Sequence, residues 1–212
     1  MGSLLSSLPQ LELYAVGTAW VLFFFIFFAR SRPRRSTEQT RDRRAVLGLP
    51  IQIAGYAMVR LGMRPPVIGF LGPESPMEMV PAMLALAALL ASLTLSYAAV
   101  RTLGKQWSLA ARLVEGHEFI HEGPYSLVRH PIYTAMLGML LGTAIAVSSW
   151  QAMVAASAVF LLGTSWRIRG EERLLIGTFG DADRDYARTV PALIPWSRFP
   201  KVASGQSGTG RR

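Results

Sequence analysis

Five apolar stretches separated by polar ones organise the chain. Residues 11–29, LELYAVGTAWVLFFFIFFA, carry one acid, Glu12, at their edge and no base. About 20 apolar residues cross a bilayer as a helix, so this run predicts a first span. Residues 45–63 predict a second, interrupted by Gln52 and Arg60. Pro50 is expected to kink it, because proline lacks the backbone donor a helix needs. Residues 81–104 are rich in Ala and Leu, and their small side chains (Ala85, Ala88, Ser92) suit close helix contact in lipid. Residues 131–148 and 150–166 read as a helical hairpin, with Pro131 in a first turn where its missing N–H costs nothing. The predicted fold class is all-α: a polytopic membrane bundle of about five transmembrane helices.

Charge placement orients the spans. Residues 30–44 hold seven arginines against Glu38 and Asp42. Short loops with such an excess stay cytoplasmic. The N-terminus and residues 64–80 are then outside, and residues 105–130 and everything after Arg167 are inside, which is N-out, C-in. Composition agrees: 51% of the 212 residues are hydrophobic and 17% charged, where a soluble domain carries about a quarter charged. Orientation and contact with anionic membrane lipids account for the net charge of +9, and no aromatic-interleaved basic face asks for nucleic acid. The absence of cysteine excludes disulfides and thiolate chemistry. The arginines follow the first apolar run rather than precede it, unlike a cleavable signal peptide. Three regions are expected: 1–104, with three helices and the basic loop; 105–198, the catalytic region with the hairpin; and 199–212, a disordered tail. Nothing in the sequence fixes the oligomeric state.

The chemistry concentrates in residues 117–133, HEFIHEGPYSLVRHPIY, which hold all three histidines. The opening five letters spell H-E-x-x-H, the pattern of two zinc-binding histidines on one helical face with a glutamate between them. That geometry needs a helix, yet Gly116 precedes the motif and Gly123-Pro124 follows it, and one turn between such breakers is a poor helix. A third ligand would have to come from Glu171 or Glu172. No metal is expected.

Read whole, the stretch resembles the cofactor motif of the isoprenylcysteine carboxyl methyltransferases and the related membrane phospholipid methyltransferases. His117, Phe119, Ile120, Gly123 and Tyr125 fall on H-x-L-V-x-x-G-x-Y, with Phe119 in place of the usual Leu, and Arg129, His130, Pro131 and Tyr133 fall on R-H-P-x-Y. A second block, Arg167, Glu171-Glu172, Phe179-Gly180, Tyr186 and Val190-Pro191, resembles the family's closing pattern. Asp183 stands where an aromatic is common, which puts a packing contact in doubt. The resemblance implies S-adenosylmethionine as cofactor, a lipidic substrate and an active site facing the cytoplasm. It implies cofactor contacts from His117, Glu118, Phe119, Ile120, Gly123, Tyr125, His130, Pro131, Ile132, Tyr133 and Glu171. Adenine would take an apolar slot at Phe119, Ile120 and the Gly123 turn. The sulfonium would lie near Tyr125, Tyr133 and Glu171, and free N–H groups opening the fourth helix would attract the cofactor's carboxylate. Arg167 is the expected catalytic residue, holding an acceptor carboxylate in its planar fork. Glu172 would orient neighbours or serve as base for an amine, and Arg129 is the second arginine candidate.

Each of these residues also has a structural reading. Tyr125, Tyr133 and Tyr186 suit an interfacial aromatic belt, and Arg129 and Arg167 suit snorkelling at helix ends. Glu171 and Glu172 would pair with Arg167, Arg169 and Arg173 on a solvated helix, Phe179-Gly180 would be a C-cap, and His121 a surface residue. Their joint spacing favours the site. The methyl acceptor stays open between an isoprenylcysteine-type carboxylate, a phosphatidylethanolamine-type amine and a small hydrophobic acid.

Overall fold

A computed structural model of the chain describes residues 2–29, 38–41, 45–65, 70, 77, 79–104, 112–114 and 119–195. His117 and Glu118, expected at the cofactor, lie outside them, as does the tail 199–212. Six α-helices follow in order: α1 (Gly2–Phe28), α2 (Gly48–Leu61), α3 (Met79–Leu103), α4 (Pro131–Val147), α5 (Trp150–Phe179) and α6 (Asp181–Thr189). Among the described residues the fold is helical apart from a short antiparallel ladder, β1 (Glu38–Arg41) with β2 (Arg112–Val114), in which Thr40 faces Leu113.

Three of the expected apolar helices stand close to where hydropathy puts them, and two differ. Among the described residues two helices are long and apolar enough to cross a membrane, α1 over residues 10–28 and α3; α4 is apolar but shorter. α2 has 14 residues, about 21 Å at 1.5 Å per residue, against a hydrocarbon core of about 30 Å. α2 runs on through Pro50 to Leu61. Pro50 is the third residue of α2, in the turn whose N–H groups have no helical acceptor, so its missing donor costs nothing. α5 does not stop at Trp166 but runs on to Phe179. The charges that mark an end of the apolar run do not end the helix, because Glu, Arg and Leu in this segment are good helix formers. Gly180 ends it, at φ +58°, with its N–H on the Ile176 carbonyl.

α4 is the axis of the bundle. Its neighbours Met139 and Leu140 are both fully buried but belong to different clusters. Met139 packs with Phe23, Phe27, Leu89 and Val100 of α1 and α3, and Leu140 with Val59, Ala156 and Phe160 of α2 and α5. Lipid gives no hydrophobic drive between apolar helices, so the seams close through small residues and van der Waals fit. A methyl group on Gly142 would come within 2.9 Å of Leu89 and 3.0 Å of the Ala85 carbonyl, which fastens α4 to α3.

The helices sort the termini into two ends. At one, Met63 bridges Ser148, and the Ser148 hydroxyl and Ser149 N–H reach the Gly62 carbonyl at 2.9 and 3.1 Å. At the other, Gly48 of α2 meets Arg167 of α5, and the 3-10 turn Gly123–Ser126 meets Thr102 of α3. The second end carries the motif residues.

Candidate active site

The continuation of α5 past Trp166 is what builds this end. Residues 164, 167, 168 and 171 recur at helical spacing, so one face of α5 carries Thr164, Arg167 and Glu171 upward past the start of α4. α4 begins at Pro131, whose buried ring opens the first turn. Ahead of it, Arg129 and His130 run in non-helical backbone, pinned by the segment after α6: Arg129 N–H donates to the Pro191 carbonyl at 2.9 Å and His130 N–H to Ala192 at 3.0 Å. The Thr134 hydroxyl adds a bond to the Leu193 carbonyl, 2.6 Å. The returning chain thus takes up the Arg129 and His130 donors, which lie ahead of the N–H groups that open α4.

Side chains from both elements then interlock. Arg129 donates to Glu172 Oε1 at 2.6 Å and to the Ala187 carbonyl at 2.8 Å. The His130 ring lies between the two acids, Nδ1 at 3.5 Å from Glu171 and Nε2 at 3.4 Å from Glu172. The Tyr133 hydroxyl donates to Glu171 Oε1 and accepts from Arg167 Nε at 2.8 Å. The Arg167 guanidinium also lies 5.5 Å from the Tyr133 ring centre. Glu171 and Glu172 thus reach toward α4. Arg129, His130, Tyr133, Arg167, Glu171 and Glu172 form one cluster, and Arg129 Nε is buried without a hydrogen-bond partner among the described residues.

Burial decides why these groups must stay together. Arg167 is 9% exposed and His130 7%, and a charge that deep is costly unless paired. Burial alone would push the His130 pKa down, but hydrogen bonds and charge from Glu171 and Glu172 together hold it above its usual value. Burial would likewise push Glu172 up, and the His130 bond with the Arg129 charge holds it below the ordinary carboxylate value. The imidazolium and Glu172 carboxylate favour each other.

An aromatic group adjoins the cluster. Phe119 packs against Phe179 at 5.1 Å and edge-on to Tyr186 at 5.4 Å. The Tyr186 hydroxyl donates to the Tyr125 carbonyl, and burial, then the Glu171 charge, raises the pKa of the enclosed Tyr125. Burial pushes Tyr186 up to about 12. Gly123 turns the chain at φ +59°, which favours glycine. Ile120 is half-buried beside Phe119 in sequence, outside any regular element. Ile132 packs instead on the cluster shared by α1, α3 and α4. Phe119 to Glu122 carry no helical turn, so the described part of H-E-x-x-H lacks the helix that zinc ligation would need. His121 is exposed.

Sequence reasoning missed three features. Gly48 is one: a methyl group there would lie 2.6 Å from Arg167 Cγ and 2.5 Å from the Gly163 carbonyl. Gln52 and Thr164 are another, joined at 2.8 Å with neither exposed, one turn below Arg167. The third is Asp183, 4% exposed, its pKa raised by burial and then by Glu172. The aromatic contact doubted at that position is replaced by a buried acid facing the Arg129–Glu172 pair.

A helical bundle with membrane-length apolar helices and a charged, aromatic-flanked cluster at one end defines a class of membrane protein. Comparison with known proteins is more specific: residues 83–177 are similar to the isoprenylcysteine carboxyl methyltransferase (ICMT) family. The protein-S-isoprenylcysteine O-methyltransferase of Schizosaccharomyces pombe is 32% identical over 87 residues, 41% of this chain and 37% of that protein. The cobalt-zinc-cadmium resistance protein CzcN of Cupriavidus metallidurans is 32% identical over 110 residues, 50% of each chain. The methanethiol S-methyltransferase of Mycobacterium tuberculosis is 37% identical over 76 residues, 34% of this chain and 28% of that protein. The matched region spans half or less of each of these relatives.

Proposed function

We propose that the chain is an integral membrane methyltransferase that uses S-adenosylmethionine to methylate an isoprenylcysteine-type carboxylate at the cytoplasmic surface. The observation that carries this is the interlocked cluster of Arg129, His130, Tyr133, Arg167, Glu171 and Glu172. The two sequence blocks of the family, about 40 residues apart, meet there in space. Five spans with N-out, C-in orientation fit the arrangement. The β1–β2 ladder ties the basic loop to the segment leading into the motif, so both lie on one side, as the arginine excess requires.

The residues suit the cofactor's chemistry. The rings of Phe119, Phe179 and Tyr186 offer faces for an adenine, and Glu171 with Tyr133 offers negative charge and an aromatic face for a cation. When bound, S-adenosylmethionine supplies an electrophilic methyl whose leaving group departs neutral. A carboxylate acceptor is already ionised at neutral pH, so no general base is needed. Arg167 aligns it, and the buried Arg167, His130 and Tyr133 help to strip water from it. Tyr133 fixes Arg167 through Nε, and His130 with Arg129 fixes the acids. Glu172 orients Arg129 and His130, and becomes the base if the acceptor is an amine.

Radiolabelled methyl transfer from S-adenosylmethionine, followed by alkali, tests this reading. A carboxylate acceptor gives a base-labile product that releases methanol. An alkali-stable product would point to the amine acceptor of the phospholipid methyltransferases. No transfer to either class would contradict the proposal.

A further inference from the structure

The apolar part of the acceptor needs a place below Arg167, and the bundle leaves few. Between α2 and α5 the way down is shut: Gly48 and Gly163 bring the two backbones into contact, Gln52–Thr164 fills the next level, and fully buried Phe160 fills the one below. Between α3 and α4 the Gly142 contact shuts it as well. The front of α4, between α1 and α2, is different, because one pair of rings joins those helices there. Trp20 of α1 stands edge-on to Tyr56 of α2 at 5.1 Å, and both are half-buried. The pair is latched at both ends, Tyr56 hydroxyl to the Met136 carbonyl at 2.7 Å and Trp20 Nε1 to Thr143 Oγ1 at 3.1 Å. Tyr56 also stands edge-on to Phe160 at 5.6 Å.

The latch lies high. Met136 is three residues along α4 from Tyr133, about 4.5 Å of helix rise, and Tyr133 is the residue that holds Arg167. Above the latch, α1 continues the aromatic wall toward the site: Phe24 adjoins Trp20 at 5.5 Å and Phe28 adjoins Phe24 at 6.4 Å, both exposed. We infer that Trp20 and Tyr56 form the floor of the acceptor's tail site and make this chain selective for a short apolar tail, of about one isoprene unit, over a farnesyl-length one. This rests on the methyltransferase reading and names the acceptor class within it.

The test is transfer to a series of N-acetyl-S-alkylcysteines with prenyl, geranyl and farnesyl tails, by the full chain in lipid nanodiscs, with S-adenosylhomocysteine binding measured on the same samples. The wild type should favour the prenyl over the farnesyl compound at least tenfold in kcat/KM. Tyr56→Ala and Trp20→Ala should each narrow that ratio tenfold or reverse it, and Tyr56→Phe, which keeps the ring, should largely preserve it. Tyr56→Leu serves as a second variant should removal of the ring prevent folding. A wild type that prefers farnesyl, or a ranking unmoved in both alanine variants that still bind S-adenosylhomocysteine, overturns the floor and leaves the methyltransferase standing. A wild type that neither binds S-adenosylhomocysteine nor transfers methyl overturns both.

Discussion

The two ends of the bundle each engage arginines at the terminus of α4, and they use them differently. At the end away from the site, Arg64 gives one guanidinium nitrogen to the carbonyls of Ile145 and Ala146, at 2.8 and 2.9 Å, and its own N–H to Val147 at 3.0 Å. These carbonyls close α4 and have no helical donors of their own, so a cation there is a cap. At the site end, Arg129 and Arg167 bind a carboxylate and a phenol, groups that belong to a network with a buried histidine. A carbonyl cap holds one geometry and cannot change charge. A carboxylate–phenol–imidazole cluster can shift protons and partners, and that is where a charged ligand can be received. Arg64 thus holds the fold, while Arg129 and Arg167 sit in the cluster proposed to hold the reaction.

Substitution should expose that division. Arg167→Lys keeps the charge but loses the planar fork, and should lower kcat/KM for methyl transfer about a hundredfold, ~2.7 kcal/mol. S-adenosylhomocysteine affinity should change little in single-turnover and binding measurements. Arg64→Met should do the reverse, costing about 1–3 kcal/mol of stability as read by thermal unfolding in detergent, with kcat/KM unchanged in the folded fraction. If Arg64→Met slowed transfer as much as Arg167→Lys, the two ends would not be distinct.

A smaller effect depends on pH. His130 has a raised pKa in the fold, so its contribution to stability is fully present below its ordinary value of about 6.5 and fades as pH rises through the raised value. Glu172, with a lowered pKa, contributes above the ordinary carboxylate range and loses that contribution as pH falls through its depressed value. The stability difference between wild type and His130→Gln should therefore be largest at mildly acidic pH, above the ordinary carboxylate range and below about 6.5, and shrink as pH rises into alkali. A difference that stays flat across that range would remove the ionised histidine from the network. Smallest of all, His121→Ala should leave stability within about 0.5 kcal/mol and methyl transfer unchanged, since the side chain is exposed and outside the cluster.

Much of this was legible in the sequence, in proportion to how local each cause is. Hydropathy placed α1, α3 and α4 because length and apolarity are properties of one segment. It misjudged α2, where Pro50 sits in a first turn, and α5, where Arg167 and Glu171 end the apolar run without ending the helix. Motif spacing brought Arg129, His130, Tyr133, Arg167, Glu171 and Glu172 together, although the Arg129–Glu172 pair spans 43 positions. Gly48 against Arg167, Gln52 on Thr164 and buried Asp183 left no such signal. Each depends on which helix lies opposite, and a glycine or glutamine in an apolar run reads the same whether it faces lipid or a neighbour. The Trp20–Tyr56 latch was hidden for the same reason: aromatics in a membrane segment resemble an interfacial belt until the second ring is found.

If the charged end of α4 and α5 receives S-adenosylmethionine, the purified chain should bind S-adenosylhomocysteine in a calorimetric titration. Binding should be saturable for the wild type, weakened at least tenfold, ~1.4 kcal/mol, by Glu171→Ala and unchanged by Arg64→Met. Absence of binding by a folded wild type, or equal binding by the wild type and Glu171→Ala, would contradict a cofactor site at that end.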